Sequence, residues 1–290
     1  MKTKKFLQKI FSQHIRTKRI TFGSNGFKLR GQILFPVQAT PESPVPGVVL
    51  CHGFGSGQSA VKSSAKLLAE QGVATMIFDL RGHCTSEGTV DGRMAEDVVD
   101  AWNVLKDFPE IVKNRMGLGG HSLGAMSTIM AAGKVEKPKV LFALCCPPQF
   151  KEGMFPNTRG FGKWGNSHNP IVEIPRQGAF PLVTGLAAVA SRVFMYLFGY
   201  TVKVNVPAFF QNYLKLNMDE VVSRLDKCFK LFVFCEGDTI TPYDKSVLVY
   251  EAACEPKVKI VARGGYHTTP LMGNNLRSQW INRVVAELNK

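Results

Sequence analysis

From Gly47 to the C-terminus the chain alternates short, continuously apolar runs with segments of helical period, and nothing else in the sequence limits the fold so strongly. The runs "GVVLC" (47–51), "VATMIF" (73–78), "RMGLGG" (115–120), "KVLFALCC" (139–146), "FKLFVFC" (229–235) and "KVKIVA" (257–262) lack the regular polar positions of a strand with one wet face. Such strands are buried on both sides, the pattern of a parallel sheet covered by helices. Helical segments fall between them, among them "SSAKLLAEQG" (63–72), "MAEDVVDAWNVLKDF" (94–108), "LGAMSTIMAAG" (123–133) and "LRSQWINRVVAELNK" (276–290). The expected architecture is α/β: a mostly parallel, doubly wound sheet with helices on both faces. "GFKLRGQILFP" (26–36) does alternate, and reads as the closing strand of an N-terminal hairpin.

In open sheets of this kind, ligands bind where loops leave the carboxyl ends of the strands. The polar clusters "HGFG" (52–55), "DLRGHCTSEG" (79–88) and "GGHSLG" (119–124) all fall at such ends. The alternation stops from about Phe150 to Asn217, so the 290 residues read as one large core with an inserted piece. The expected divisions are a basic segment 1–20, core 21–149, a cap insertion 150–217 and core 218–290. Within the insertion, "AFPLVTGLAAVASRVFMYLFGY" (179–200) is nearly long enough to cross a bilayer, but Pro181, Gly185 and Arg192 interrupt it. Helices of a cap lying over the active edge of the sheet fit it better.

Ser122 stands in Gly120-His121-Ser122-Leu123-Gly124, after an apolar strand and before a good helix. A strand that turns directly into a helix forces its central residue into a strained conformation and brings its flanks so close to other backbone that only small residues fit. The hydroxyl then projects at a helix N-terminus, where developing negative charge is favoured. The plainer alternative is a glycine-rich turn with serine as a helix N-cap. A serine nucleophile needs a base, and the base needs a carboxylate to fix its tautomer. His267, in "GGYHTTP", is the one histidine that follows the final strand, and Asp238, in "CEGDTITP", follows the strand before it. Glu236 is a rival acid close to the strand end; Asp226 and Asp244 read as solvated helix residues. Of the other histidines, His14 lies in the basic segment and His168 in the insertion. His52 and His83 occupy loops at the same edge, and His52, Gly53 and His121 are candidates to line the substrate pocket. An oxyanion hole would be formed by the backbone N–H groups of Leu123 and Phe54.

Taken together, "HGFG", "FDLRGHCTSEG", "GHSLG", "EGDTITP" and "YHTTP" resemble an α/β-hydrolase over nearly the whole chain from Ile20, and especially the cap-bearing serine hydrolases that include cinnamoyl-type esterases and monoacylglycerol-lipase-like enzymes. The order serine, aspartate, histidine is the one that fold uses. Cys84 stands where D-x-R-G-H-G-x-S usually has its second glycine, a departure beside the site and outside the triad. Dienelactone hydrolases use a cysteine nucleophile, which sets Ser122 apart from that branch. The resemblance implies two-step acyl transfer through Ser122, His267 and Asp238, with no cofactor and no metal. Phe194, Met195, Leu197, Phe198, Phe209 and Phe210 give the insertion an apolar, aromatic lining suited to an ester of a short to medium acyl chain or an aromatic acid. A peptidase or thioesterase with the same triad, or a catalytically silent binding protein of this fold, stays open.

The formal charge is +14, from 36 Lys+Arg against 22 Asp+Glu. Part of it lies in "MKTKKFLQKIFSQHIRTKRI", where Phe6, Ile10 and Phe11 recur at helical spacing among lysines and arginines. That segment reads either as a basic amphipathic helix in weak contact with a membrane surface or as a solvated helix or tail. The remaining basic residues are scattered and match no nucleic-acid motif, so no nucleic-acid partner is expected. Seven cysteines without paired or zinc-like spacing suit reduced thiols in a cytoplasm. Oligomeric state is not legible.

Overall fold

The structure, a computed structural model, describes residues 15–148, 171–175, 201–213, 216–226 and 228–290. Its strands are β1 (Ile15–Ser24), β2 (Phe27–Pro36), β3 (Val45–Cys51), β4 (Ala74–Phe78), β5 (Ile111–His121), β6 (Val140–Leu144), β7 (Ile171–Pro175), β8 (Thr201–Asn205), β9 (Phe229–Cys235) and β10 (Lys257–Ala262). The described helices are α1 (Gln58–Glu70), α2 (Met94–Lys106), α3 (Leu123–Ala132), α4 (Val206–Tyr213), α5 (Met218–Ser223), α6 (Tyr243–Ala252), α7 (Thr269–Met272) and α8 (Asn274–Leu288). Eight strands form one sheet in the order β1-β2-β4-β3-β5-β6-β9-β10. The β1–β2 and β2–β4 pairs are antiparallel and every later pair is parallel.

The expectation of strands buried on both faces holds along the central strands β3, β4 and β6, whereas β1 and β10 at the edges of the sheet are partly exposed. Along β6, Leu141 and Ala143 face one apolar layer while Val140, Phe142 and Leu144 face the other. On the first side lie α2 and α3, with Trp102 wholly buried; on the second lie α1 and α8, with Trp280 stacked on Phe142 at 5.3 Å between ring centroids. These central strands carry no polar face because neither side of the sheet meets water there.

Two expectations change. The N-terminal hairpin is present, but β1 begins at Ile15, so the basic segment does not run to residue 20 as a helix or tail. Arg16, Lys18 and Arg19 instead stand exposed on the edge strand of the sheet, where charged side chains discourage pairing with another chain. Residues 1–14 lie outside the described residues. The insertion is not wholly helical either: β7 and β8 pair antiparallel, and α4 follows. The apolar run 179–200, with Phe194, Met195, Leu197 and Phe198, lies outside the described residues, as does His168. No helix among the described residues is long and apolar enough to cross a membrane.

The loop after β4 is fixed by a buried charge cluster. Arg81, wholly buried, reaches Asp97 at 2.6 Å and Asp91 at 3.3 Å, and Ser24 donates to Asp97 at 2.8 Å. Removing one partner of such a cluster strands the other charge in a place that cannot solvate it. Asp97→Ala is therefore expected to cost about 3–5 kcal/mol in chemical unfolding. Glu110→Ala, which breaks the exposed pair with Arg16, is expected to cost under about 1 kcal/mol.

Candidate active site

Ser122 joins β5 directly to α3 with φ 55° and ψ −118°. This is a region that L-residues enter at a cost of order 1–3 kcal/mol. Its neighbours show why the chain accepts that cost. A Cβ on Gly120 would lie 2.3 Å from the Gly124 carbonyl group, and one on Gly124 would lie 2.5 Å from the carbonyl oxygen of His52. Both glycines thus let the turn close against its own helix and against the end of β3. The serine side chain makes no capping hydrogen bond, which disposes of the N-cap alternative.

His267 and Asp238 meet from loops 29 residues apart in sequence, with 2.7 Å between Nδ1 and the carboxylate Oδ2. The carboxylate also accepts from the Thr241 hydroxyl at 2.6 Å and from the backbone N–H groups of Ile240 and Thr241 at 2.9 Å. Burial alone would raise the Asp238 pKa, but His267 and the Thr241 bonds outweigh it and hold the carboxyl at about 2. It is therefore ionised at neutral pH. Glu236, the rival, points to solvent, and Asp226 and Asp244 are exposed. The Ser122 hydroxyl and His267 are not within hydrogen-bonding geometry among the described contacts; catalytic hydrogen bonds commonly tighten only with substrate in place.

Leu123 opens α3, so its N–H is one of the first-turn donors that have no acceptor inside the helix. Phe54 sits between Gly53 and Gly55 on the loop after β3, and a Cβ on Gly53 would lie 3.2 Å from the Ser122 Cβ, so that loop runs directly over the elbow. The loop is held from below. His83 accepts from the Gly55 N–H at 3.2 Å, and the Cys84 thiol donates to the Ser56 carbonyl at 3.3 Å. Cys84 has φ 48°, the left-handed region that glycine enters freely, which accounts for the glycine usual at its position.

The pocket role expected of His52 and His121 does not hold. His52 is wholly buried, donating from Nδ1 to the Gly53 carbonyl at 2.8 Å and accepting the Leu80 N–H at Nε2, 3.1 Å away. His121 is buried against His267. Gly53 stays at the edge of the site. From the insertion, Phe209 on α4 comes to 6.4 Å from Phe54 between ring centroids and stacks on the buried Tyr213.

One grouping escaped the sequence reading. Ligand atoms of His121, Cys145 and His267 lie within 4.8 Å of one another, because Cys145 directly follows β6, the strand between those that lead to Ser122 and Asp238. A hydrogen bond with Cys235, and burial, push the Cys145 thiol well up, and both histidines already hold partners at one ring nitrogen. The trio thus offers a protonated thiol rather than a metal-ready thiolate. The Thr241 clamp on Asp238 was also missed, although a threonine three residues after the aspartate is a signal for such a turn.

Comparisons with known proteins bear on the fold. Residues 42–185 match the family model described as "Serine aminopeptidase, S33". A thiohydrolase of Eupenicillium brefeldianum is 24% identical over 271 residues, covering 86% of each chain. The structure of DcsB in complex with its substrate analogue superposes with a TM-score of 0.71 at 19% identity, over 94% of this chain and 99% of that one. The chain has the α/β-hydrolase fold. A second α/β-hydrolase-fold likeness, an esterase of Pyrococcus furiosus, superposes with a TM-score of 0.67 at 19% identity, over 97% of this chain and 92% of that one.

In this hydrolase, burial first and the neighbouring His267 second lower the His121 pKa from 6.5 to about 3. The unfolded chain binds a proton at His121 below about pH 6.5 that the fold refuses until about pH 3. The stability tied to that group is complete above pH 6.5 and lost as the pH falls toward 3. The urea midpoint is expected to fall across that window, and His121→Phe to flatten the slope by one proton's worth.

Proposed function

We propose that this α/β-hydrolase is a serine hydrolase that cleaves carboxylic esters of short to medium acyl chains or aromatic acids. The observation that carries the reading is Ser122, strained at the elbow, on the same sheet edge as a His267–Asp238 pair at 2.7 Å. His267 takes the Ser122 proton as the hydroxyl attacks the acyl carbon. The N–H groups of Leu123 and Phe54 hold the oxyanion, and the alcohol leaves with a proton from His267. A water activated by His267 then releases the acid. Asp238, ionised throughout, stabilises the imidazolium formed in each step. Phe209 beside Phe54 supports an apolar acyl side to the site.

A second reading has its own support. The relative matched along 86% of this chain is named a thiohydrolase, so thioesters are the alternative acyl donors. Seven free cysteines are consistent with a reducing compartment.

The test is hydrolysis of p-nitrophenyl esters over a series of acyl lengths, beside acyl thioesters of matched length. Ser122→Ala is expected to lower kcat on the order of 10⁴–10⁶-fold. A kcat/KM higher for thioesters than for oxygen esters would move the chain to the second reading. Undiminished turnover by Ser122→Ala would end both.

A further inference from the structure

His267 rides on the loop after β10, which packs at Gly265 against Cys235 and Gly237 and is otherwise open to solvent. Arg263, Gly264, Tyr266 and Thr268 are exposed, and a Cβ on Gly264 would meet nothing within 4 Å. The bonds near it are local: the Tyr266 N–H donates to the Thr269 hydroxyl at 2.7 Å, and the Thr269 N–H to the Tyr266 carbonyl at 2.9 Å. Asp238 and Thr241 grip only the Nδ1 edge of the His267 ring. A loop of this kind fixes its own backbone poorly, yet a base must be held to a fraction of an ångström.

The missing anchor comes from the elbow itself. His121 Nε2 lies 2.7 Å from the main-chain carbonyl oxygen of His267, so Nε2–H donates across a sequence separation of 146 residues. The two rings meet at 4.6 Å between centroids, tilted by 54°. His121 is buried and ends β5, immediately before Ser122, in register with Leu144 of β6. A single side chain thus touches both the backbone and the ring face of His267 from the strand that carries Ser122.

We propose that His121 is a positioning residue that locks the loop bearing the general base to the strand bearing the nucleophile, and that its Nε2–H donor is what the role requires. The inference rests on the serine-hydrolase reading above. Donation to a carbonyl needs the N–H at Nε2 and leaves Nδ1 without a proton in the neutral ring. The neutral state follows from the surroundings: His267, Asp238, His52 and Cys145 face it, and burial disfavours a second cation beside His267. A leucine or phenylalanine would fill the same space and leave the His267 carbonyl without this donor. Glutamine can place an amide N–H near the same point.

The test compares His121→Phe, His121→Gln and Ser122→Ala by steady-state kinetics on the preferred p-nitrophenyl ester and by the rate of labelling with a fluorophosphonate, with urea unfolding recorded for each. His121→Phe is expected to lower kcat about 10²-fold with KM nearly unchanged, and to slow labelling in parallel. His121→Gln is expected to recover most of both. Wild-type kcat in a folded His121→Phe would overturn the proposal. So would a folded His121→Gln as impaired as His121→Phe, because the donor would then not be the operative feature. Should His121→Phe fail to fold, the glutamine variant decides alone: near-wild-type kcat and labelling support the role, and a folded protein impaired about 10²-fold overturns it. Activity surviving in Ser122→Ala would instead remove the serine-hydrolase reading, a result that the histidine variants cannot produce.

Discussion

At the elbow α3 packs backbone to backbone against the end of β3, where Gly124 lies against the carbonyls of Cys51 and His52. Everything at the site is placed by that contact. It lets β5 turn into α3 without an intervening loop and puts Ser122 at a helix N-terminus. It also brings the residues after β3, Gly53 and Phe54, over the same turn. A side chain at residue 124 would separate nucleophile and oxyanion loop together, since both depend on the same few tenths of an ångström.

Around this fixed point the remaining loops are held by hydrogen bonds of graded depth. The loop after β4 is the most firmly set, because Arg81 is neutralised by carboxylates on both sides and cannot leave without exposing a buried charge. Through His83 and Cys84 that loop in turn supports Gly55 and Ser56. The loop carrying His267 is shallower, and its links to the core run through Asp238, Thr241 and His121. His267 thus lies on a loop whose neighbouring residues, Tyr266 and Thr268, are exposed.

Much of this was legible because burial on both faces leaves a plain mark. The central strands β3, β4 and β6 are runs without a charged residue, and the elbow is marked by glycines that sterics demand. The order of Asp238 and His267 along the chain, each after a late strand, pointed to the pair they form. Where reading failed, the local signal was ambiguous or the cause lay far off in sequence. Ile15 to Ile20 mixes basic and apolar residues that satisfy a helix and an edge strand alike, and pairing with Leu34 and its neighbours on β2 decided for the strand. The β7–β8 pair lies within a stretch rich in aromatics, where period is hard to see. His121 was assigned to the pocket because a neighbour of the nucleophile invites that role; its partner is 146 residues away and reached through a carbonyl that no side-chain pattern reveals.

The strand β8 has a consequence for how the rim of the core can move. Lys203 N–H donates to the Gly82 carbonyl, Val90 N–H donates to the Lys203 carbonyl, and Asn205 N–H donates to the Val90 carbonyl. The Asn212 side chain on α4 adds a bond to the Asp91 carbonyl. This end of the insertion is stitched into the rim of the core, to the very loop that Arg81 anchors. It is therefore a doorpost and not a door: it cannot swing away from the loop after β4 without tearing main-chain bonds.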